Sequence, residues 1–110
     1  MQLGLIGLGK MGFNMRDRLR QHGHKVVGYD RNAEVSDSES LRDMVGKLAA
    51  PRTVWVMVPA GEPTTQTIAE LGTLLEQGDL VIDGGNSRFT DDKVNAGTLA
   101  EHNIGYVDCG

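Results

Sequence analysis

Apolar residues along this chain come in short blocks, and the spacing between blocks changes rhythm. Residues 3–6, 25–29, 53–58, 80–83 and 104–109 are compact runs rich in β-branched and aliphatic side chains, as expected of strands covered on both faces of a parallel sheet. Between these runs the apolar positions recur at helical spacing. Met11, Met15 and Leu19 share one side of a helix predicted over residues 11–21. Leu41, Met44, Val45 and Leu48 share one side of a second, with Ser40 placed to cap it and Pro51 to stop it. Ile68, Leu71, Leu74 and Leu75 mark a third over residues 64–76, with Gly72 a soft spot and Gly78 its terminator. A fourth runs over 94–102, and the serine-rich stretch 36–40 reads as a loop or helix start. Strands joined by single helices require right-handed crossovers, so the expected fold is α/β, a Rossmann-type doubly wound, mostly parallel sheet.

The turns that follow the strands carry the candidate chemistry. They are residues 7–12, 30–32, 59–61 and 83–87, and all fall at the carboxyl ends of predicted strands, the edge where open parallel sheets bind ligands. Gly7-Leu8-Gly9-Lys10-Met11-Gly12 spells G-x-G-x-x-G between a strand and a helix, and Asp30 closes the second strand 18 residues beyond Gly12. Strand, glycine turn, helix, strand and acidic residue make up the dinucleotide-binding unit. Gly7 permits the tight turn, Gly9 lets the backbone approach a pyrophosphate, and Gly12 lets the helix sit close to the sheet. The helix start offers unpaired N–H groups and a positive dipole end to phosphates.

Composition narrows the alternatives. A chain of 110 residues is one domain at most, with no internal repeat or linker. Fifteen acidic against 11 basic residues give a formal charge of −4, without the basic stripe that nucleic acid requires. No apolar run approaches a membrane span and no signal peptide precedes the first strand, which points to a cytoplasmic protein. Cys109 is the single cysteine, which excludes an internal disulfide and a cysteine-clustered metal site and fits a reducing compartment. His22, His24 and His102 fall at helix ends, where a solvated C-terminal turn explains them. Asp91 and Asp92 are adjacent and diverge, so they read as caps rather than a metal pair.

The segments GLIGLGKMGFNM, GHKVVGYDRN, VWVMVPAGEPT, VIDGGNS and IGYVDCG resemble, in order, the amino-terminal domain of decarboxylating 6-phosphogluconate dehydrogenases, most of all the shorter bacterial branch. The discriminating motif is IDGGNS at 82–87, where other beta-hydroxyacid dehydrogenases usually read D-x-S-T. The resemblance implies that residues 7–12 hold the cofactor pyrophosphate and that Asp30, Arg31 and Asn32 meet the adenosine ribose. It further implies that Val58, Pro59 and Ala60 line the nicotinamide side and that Asn86 contacts cofactor and substrate. NADP-preferring members carry Asn-Arg-Thr where this chain has Asp30-Arg31-Asn32. The carboxylate favours NAD, and Arg31 leaves NADP possible.

By the same resemblance the activity is oxidation of 6-phosphogluconate at C3, loss of carbon dioxide and protonation to ribulose 5-phosphate, in an enzyme expected to be a homo-oligomer. Two departures stand out. About a dozen residues, a helix and a short strand in the family, are lacking between Val35 and Ser40, by deletion or because the sequence is incomplete. The chain also stops before the family's substrate loop and the helical domain that supplies its catalytic lysine and glutamate. The sequence therefore reads as a cofactor-binding fragment, with no catalytic residue of its own and no activity expected of it alone. Two other readings are a different beta-hydroxyacid dehydrogenase and a non-catalytic nucleotide-sensing domain, and IDGGNS argues against the latter.

Overall fold

In a computed structural model, which describes residues 2–57, 62–84 and 97–108, five strands form one wholly parallel sheet. The elements are β1 (Gln2–Ile6), α1 (Lys10–Gln21), β2 (Lys25–Tyr29), α2 (Leu41–Gly46), β3 (Thr53–Val56), α3 (Glu62–Leu74), β4 (Leu80–Asp83) and β5 (Gly105–Asp108). Their spatial order is β2-β1-β3-β4-β5, the doubly wound arrangement that the alternation of apolar runs predicts. The usual order 3-2-1-4-5-6 has a further strand outside the second one. Among the described residues that strand is absent, because the chain passes from β2 to α2 through a loop alone, and β2 becomes the sheet edge. The loop lies at the place where the residues of the family pattern are lacking.

Both faces of the sheet are covered, which is why the strand sequences are apolar throughout. On one face Ile6, Val27, Val54, Val56 and Val81 meet Met44 of α2 and Ile68 and Leu71 of α3, all buried. On the other, Leu5 and Val26 meet Leu8 and the α1 side chains Met15 and Leu19. Ser40 caps α2 by accepting a hydrogen bond from the Asp43 N–H at 3.1 Å, as its position before the apolar stripe predicts.

One expectation needs correction. The third helix ends at Leu74, not at residue 76, because the Asp79 carboxylate takes the Glu76 N–H at 2.8 Å and draws the chain out of helical register. Gly78 follows in a turn with φ 93°. Gly72, the soft spot of that helix, is buried, with Leu99 and His102 side chains close by. At the opposite edge of the sheet from the strand carboxyl ends, Asp79 also accepts from the Arg52 N–H at 2.6 Å and pairs with the Arg52 guanidinium at 3.3 Å. Periodicity did not reveal this buried lock, since its partners are 27 residues apart. Among the described residues no helix is long and apolar enough to cross a membrane, and no group of acidic, His and Cys side chains is arranged to hold a metal.

Candidate functional site

The parallel sheet puts the carboxyl ends of β1 to β4 on one edge, and the glycine turn leaves that edge first. Each of its glycines answers to a separate constraint. Gly7 has φ 93°, the left-handed region that side chains disfavour. A Cβ on Gly12 would run into the Gly7 carbonyl oxygen, so α1 can begin this close to the turn only without one. Gly9 differs from both. A Cβ there would meet nothing within 4 Å among the described residues, so none of them crowds its backbone.

Gly9 is also the N-cap of α1, with extended backbone, no side-chain cap and no acidic residue in the first turn. The first backbone bond of the helix is the Phe13 N–H to the Gly9 carbonyl at 2.8 Å. Among the described residues the N–H groups of the first turn thus have no side-chain acceptor of the helix's own, and nothing crowds the approach over Gly9. This is the geometry that suits a phosphate at the positive end of a helix. The backbones of Lys10 and Met11 form that first turn.

The acidic residue at the end of β2 is brought to the same turn. Asp30 Oδ2 accepts the Leu8 N–H at 2.6 Å, and Oδ1 accepts the Asn32 N–H at 2.8 Å. Leu8 itself is buried. The carboxylate therefore bridges the glycine turn and its own loop. An ionised carboxylate has about four acceptor positions, so two remain for a ligand's hydroxyls. Arg31 and Asn32 are exposed beside it. An open cleft of about 540 Å³ continues from Tyr29, Asp30 and Arg31 past Ser36 and Asp37 to Lys47.

The fold thus brings residues 7–12 and 30–32 together as the sequence reading expected. Val58, Pro59, Ala60 and Asn86 lie outside the described residues, as do Asp91, Asp92 and Cys109. Asp83 ends β4 fully buried and accepts the Tyr106 hydroxyl at 2.8 Å, which ties β4 to β5. That contact gives Asp83 a structural role within the sheet. His22 caps the end of α1 through backbone bonds and is exposed.

Sequence reasoning missed the network behind the site. Arg16 is buried on α1, with its guanidinium 4.8 Å from the Phe13 ring centroid. It donates to the Val35 carbonyl at 2.7 Å and to Asp37 Oδ2 at 3.1 Å, while Arg20 reaches the same oxygen at 2.7 Å. Burial opposes ionisation of Asp37, but the Gly28 N–H bond and the charges of Arg16 and Arg20 outweigh it. Together they hold the carboxyl below its usual range. A signal was available: Arg16 falls on the helical face between Gly12 and Leu19, where a solvated arginine would not be expected.

A family model described as the NAD binding domain of 6-phosphogluconate dehydrogenase matches residues 2–110. An NAD(+)-dependent, decarboxylating 6-phosphogluconate dehydrogenase of Haloferax volcanii is 38% identical over 119 aligned residues, covering 100% of this chain and 39% of that protein. A decarboxylating 6-phosphogluconate dehydrogenase of Synechococcus elongatus is 37% identical over 123, covering 99% and 26%. Both alignments are longer than the 110-residue chain, so the relatives carry residues that it lacks. Among solved structures, 6-phosphogluconate dehydrogenase of Plasmodium falciparum superposes with a TM-score of 0.87 at 26% identity, over 96% of this chain and 26% of its own. A 3-hydroxyisobutyrate dehydrogenase of Mycobacterium tuberculosis gives 0.87 at 23% identity, over 97% and 39%, a likeness of fold alone. This chain spans well under half the length of each of these proteins. With its residues matched almost from end to end, the chain belongs to the family of the NAD-binding domain of 6-phosphogluconate dehydrogenase.

Proposed function

We propose that this chain is the cofactor-binding part of a cytoplasmic, homo-oligomeric oxidoreductase that converts 6-phosphogluconate to ribulose 5-phosphate with NAD, NADP being the lesser cofactor. One observation carries the reading: the Asp30 carboxylate, bonded to the Leu8 N–H at 2.6 Å, stands beside an open glycine turn at the start of a helix without a side-chain cap. That juxtaposition supports adjoining pyrophosphate and ribose sites, as a dinucleotide requires.

NAD, when bound, supplies a hydride acceptor. The chain's part is to hold and orient it. The first-turn N–H groups of α1 bind the phosphates, and Gly9 lets them approach. Asp30 accepts hydrogen bonds from the ribose hydroxyls through its two remaining lone-pair positions. The same negative charge repels a 2′-phosphate, which supports NAD over NADP, while Arg31 tempers the repulsion. Val58, Pro59 and Ala60 form the nicotinamide side, and Asn86 meets both cofactor and substrate. The base and acid that act on the substrate are not assigned to any residue of this chain.

The test is calorimetric titration of the protein with NAD and with NADP, and turnover of 6-phosphogluconate by the whole product of its reading frame. Binding of NAD with turnover of 6-phosphogluconate supports the reading. Binding without turnover, alongside oxidation of another beta-hydroxyacid, would reassign the substrate. No binding of either cofactor would refute it.

A further inference from the structure

As an edge strand β2 should present unpaired backbone groups, which invite fraying or pairing with another chain. Its outward-facing groups belong to alternate residues, Val26, Gly28 and Asp30, and four of these groups are closed by a side chain or loop backbone. Arg20 Nη2 donates to the Val26 carbonyl at 2.8 Å. The Gly28 N–H donates to Asp37 Oδ2 at 2.9 Å, and the Gly28 carbonyl accepts the Asp37 N–H at 3.0 Å. The Asp30 N–H donates to Ser36 Oγ at 3.1 Å. Through the same Oδ2, Asp37 holds Arg16 and Arg20, so it also clamps α1 to β2.

The clamp leads directly to the site. A Cβ on Gly28 would lie 3.0 Å from Asp37 Oδ2 and 3.0 Å from Leu8 Cδ1, so a bare glycine lets both neighbours close in. Leu8 in turn gives its N–H to Asp30. Ser36 fixes the backbone of Asp30, and Asp37 fixes the helix and the strand residue that flank it.

We propose that Ser36 and Asp37 replace the outer strand of the fold and act as positioning residues that aim the Asp30 carboxylate at the adenosine ribose of NAD. The proposal rests on the cofactor reading above. In this role each acts through Asp30, whose hydrogen bonds weaken steeply when misaligned.

The experiment is a pair of double-mutant cycles read by titration with NAD and NADP, using wild type, S36A, D37N, D30A, D30A/S36A and D30A/D37N. Loss of one supporting hydrogen bond corresponds to about a three- to tenfold change. S36A and D37N should each weaken NAD by that factor and lower the preference for NAD over NADP. In the D30A background both effects should shrink to within about twofold, because their target is gone. Equal losses in both backgrounds would mean that these residues serve stability alone, and would overturn the proposal. If D30A weakens NAD while S36A and D37N bind it as wild type does, positioning fails and the cofactor reading stands. If D30A binds NAD normally, or wild type binds none, both fall together. Should D37N not fold, the S36A cycle decides alone.

Discussion

Alanine at two glycines three residues apart should give opposite results. At Gly12 the new methyl would meet the Gly7 carbonyl oxygen, a backbone atom that cannot rotate away, so the start of α1 must move off the sheet. Alanine is favoured over glycine within a helix by up to about 1 kcal/mol, but forcing a methyl into filled space typically costs about 1–3 kcal/mol. Here the obstacle is backbone, and the steric cost wins. Gly12→Ala should lower Tm by several degrees, at about 4 °C per kcal/mol for a domain of this size. At Gly9 no described atom lies within 4 Å of the same methyl, and the extended backbone suits alanine. The loss of a good N-cap, about 0.5–1 kcal/mol, is offset by a less flexible unfolded chain, about 0.4–1 kcal/mol. Stability should therefore hold while NAD binding falls at least about tenfold, because the methyl occupies the approach to the first-turn N–H groups. Thermal unfolding and NAD titration of both variants decide the matter. Reversed phenotypes, with Gly9→Ala unstable and still binding NAD, would refute the reasoning.

Three further outcomes follow from the structure. Asp79→Ala removes the buried carboxylate that pairs with Arg52 and accepts from two backbone N–H groups, and denaturant unfolding should show a loss of about 3 kcal/mol. Gly72→Ala should instead stabilise the fold by roughly 0.5–1 kcal/mol, since its methyl would sit 3.6–3.9 Å from Thr98, Leu99 and His102, at ordinary contact distance; a lower Tm would show that the helix cannot yield there. Asp37 has its carboxyl held below the unfolded value, so its contribution is fully present above about pH 4 and fades as pH falls through the lower folded value. The stability gap between wild type and Asp37→Asn should narrow in acid and be flat from pH 5 to 8.

The strands and the glycine turn were legible in the sequence because their signals are local. A run such as that of β3 has only one reading in this context, and Gly7, Gly9 and Gly12 each answer to backbone geometry set within a few residues. Asp30 was legible because its distance from the turn is fixed by one helix and one strand. The Arg16–Asp37–Gly28 clamp was not, since nothing in the spacing of those residues indicates that they meet until the order of the strands is known. The shortened loop after Val35 could be read as a missing element, but Ser36 and Asp37 closing the exposed edge depended on side-chain reach rather than pattern. The Arg52–Asp79 lock escaped for the same reason.

The central claim is that the glycine turn and Asp30 form one site built for NAD, and titration of wild type and Asp30→Asn with NAD and NADP tests it most directly. Removing the charge weakens the hydrogen bonds to the ribose, worth about 1.5–3 kcal/mol for a charged acceptor, and frees Arg31 to meet a 2′-phosphate. Wild type should prefer NAD, and the substitution should move the ratio toward NADP by at least about tenfold. A wild type that already prefers NADP, or a ratio that the substitution leaves unchanged, would contradict the account.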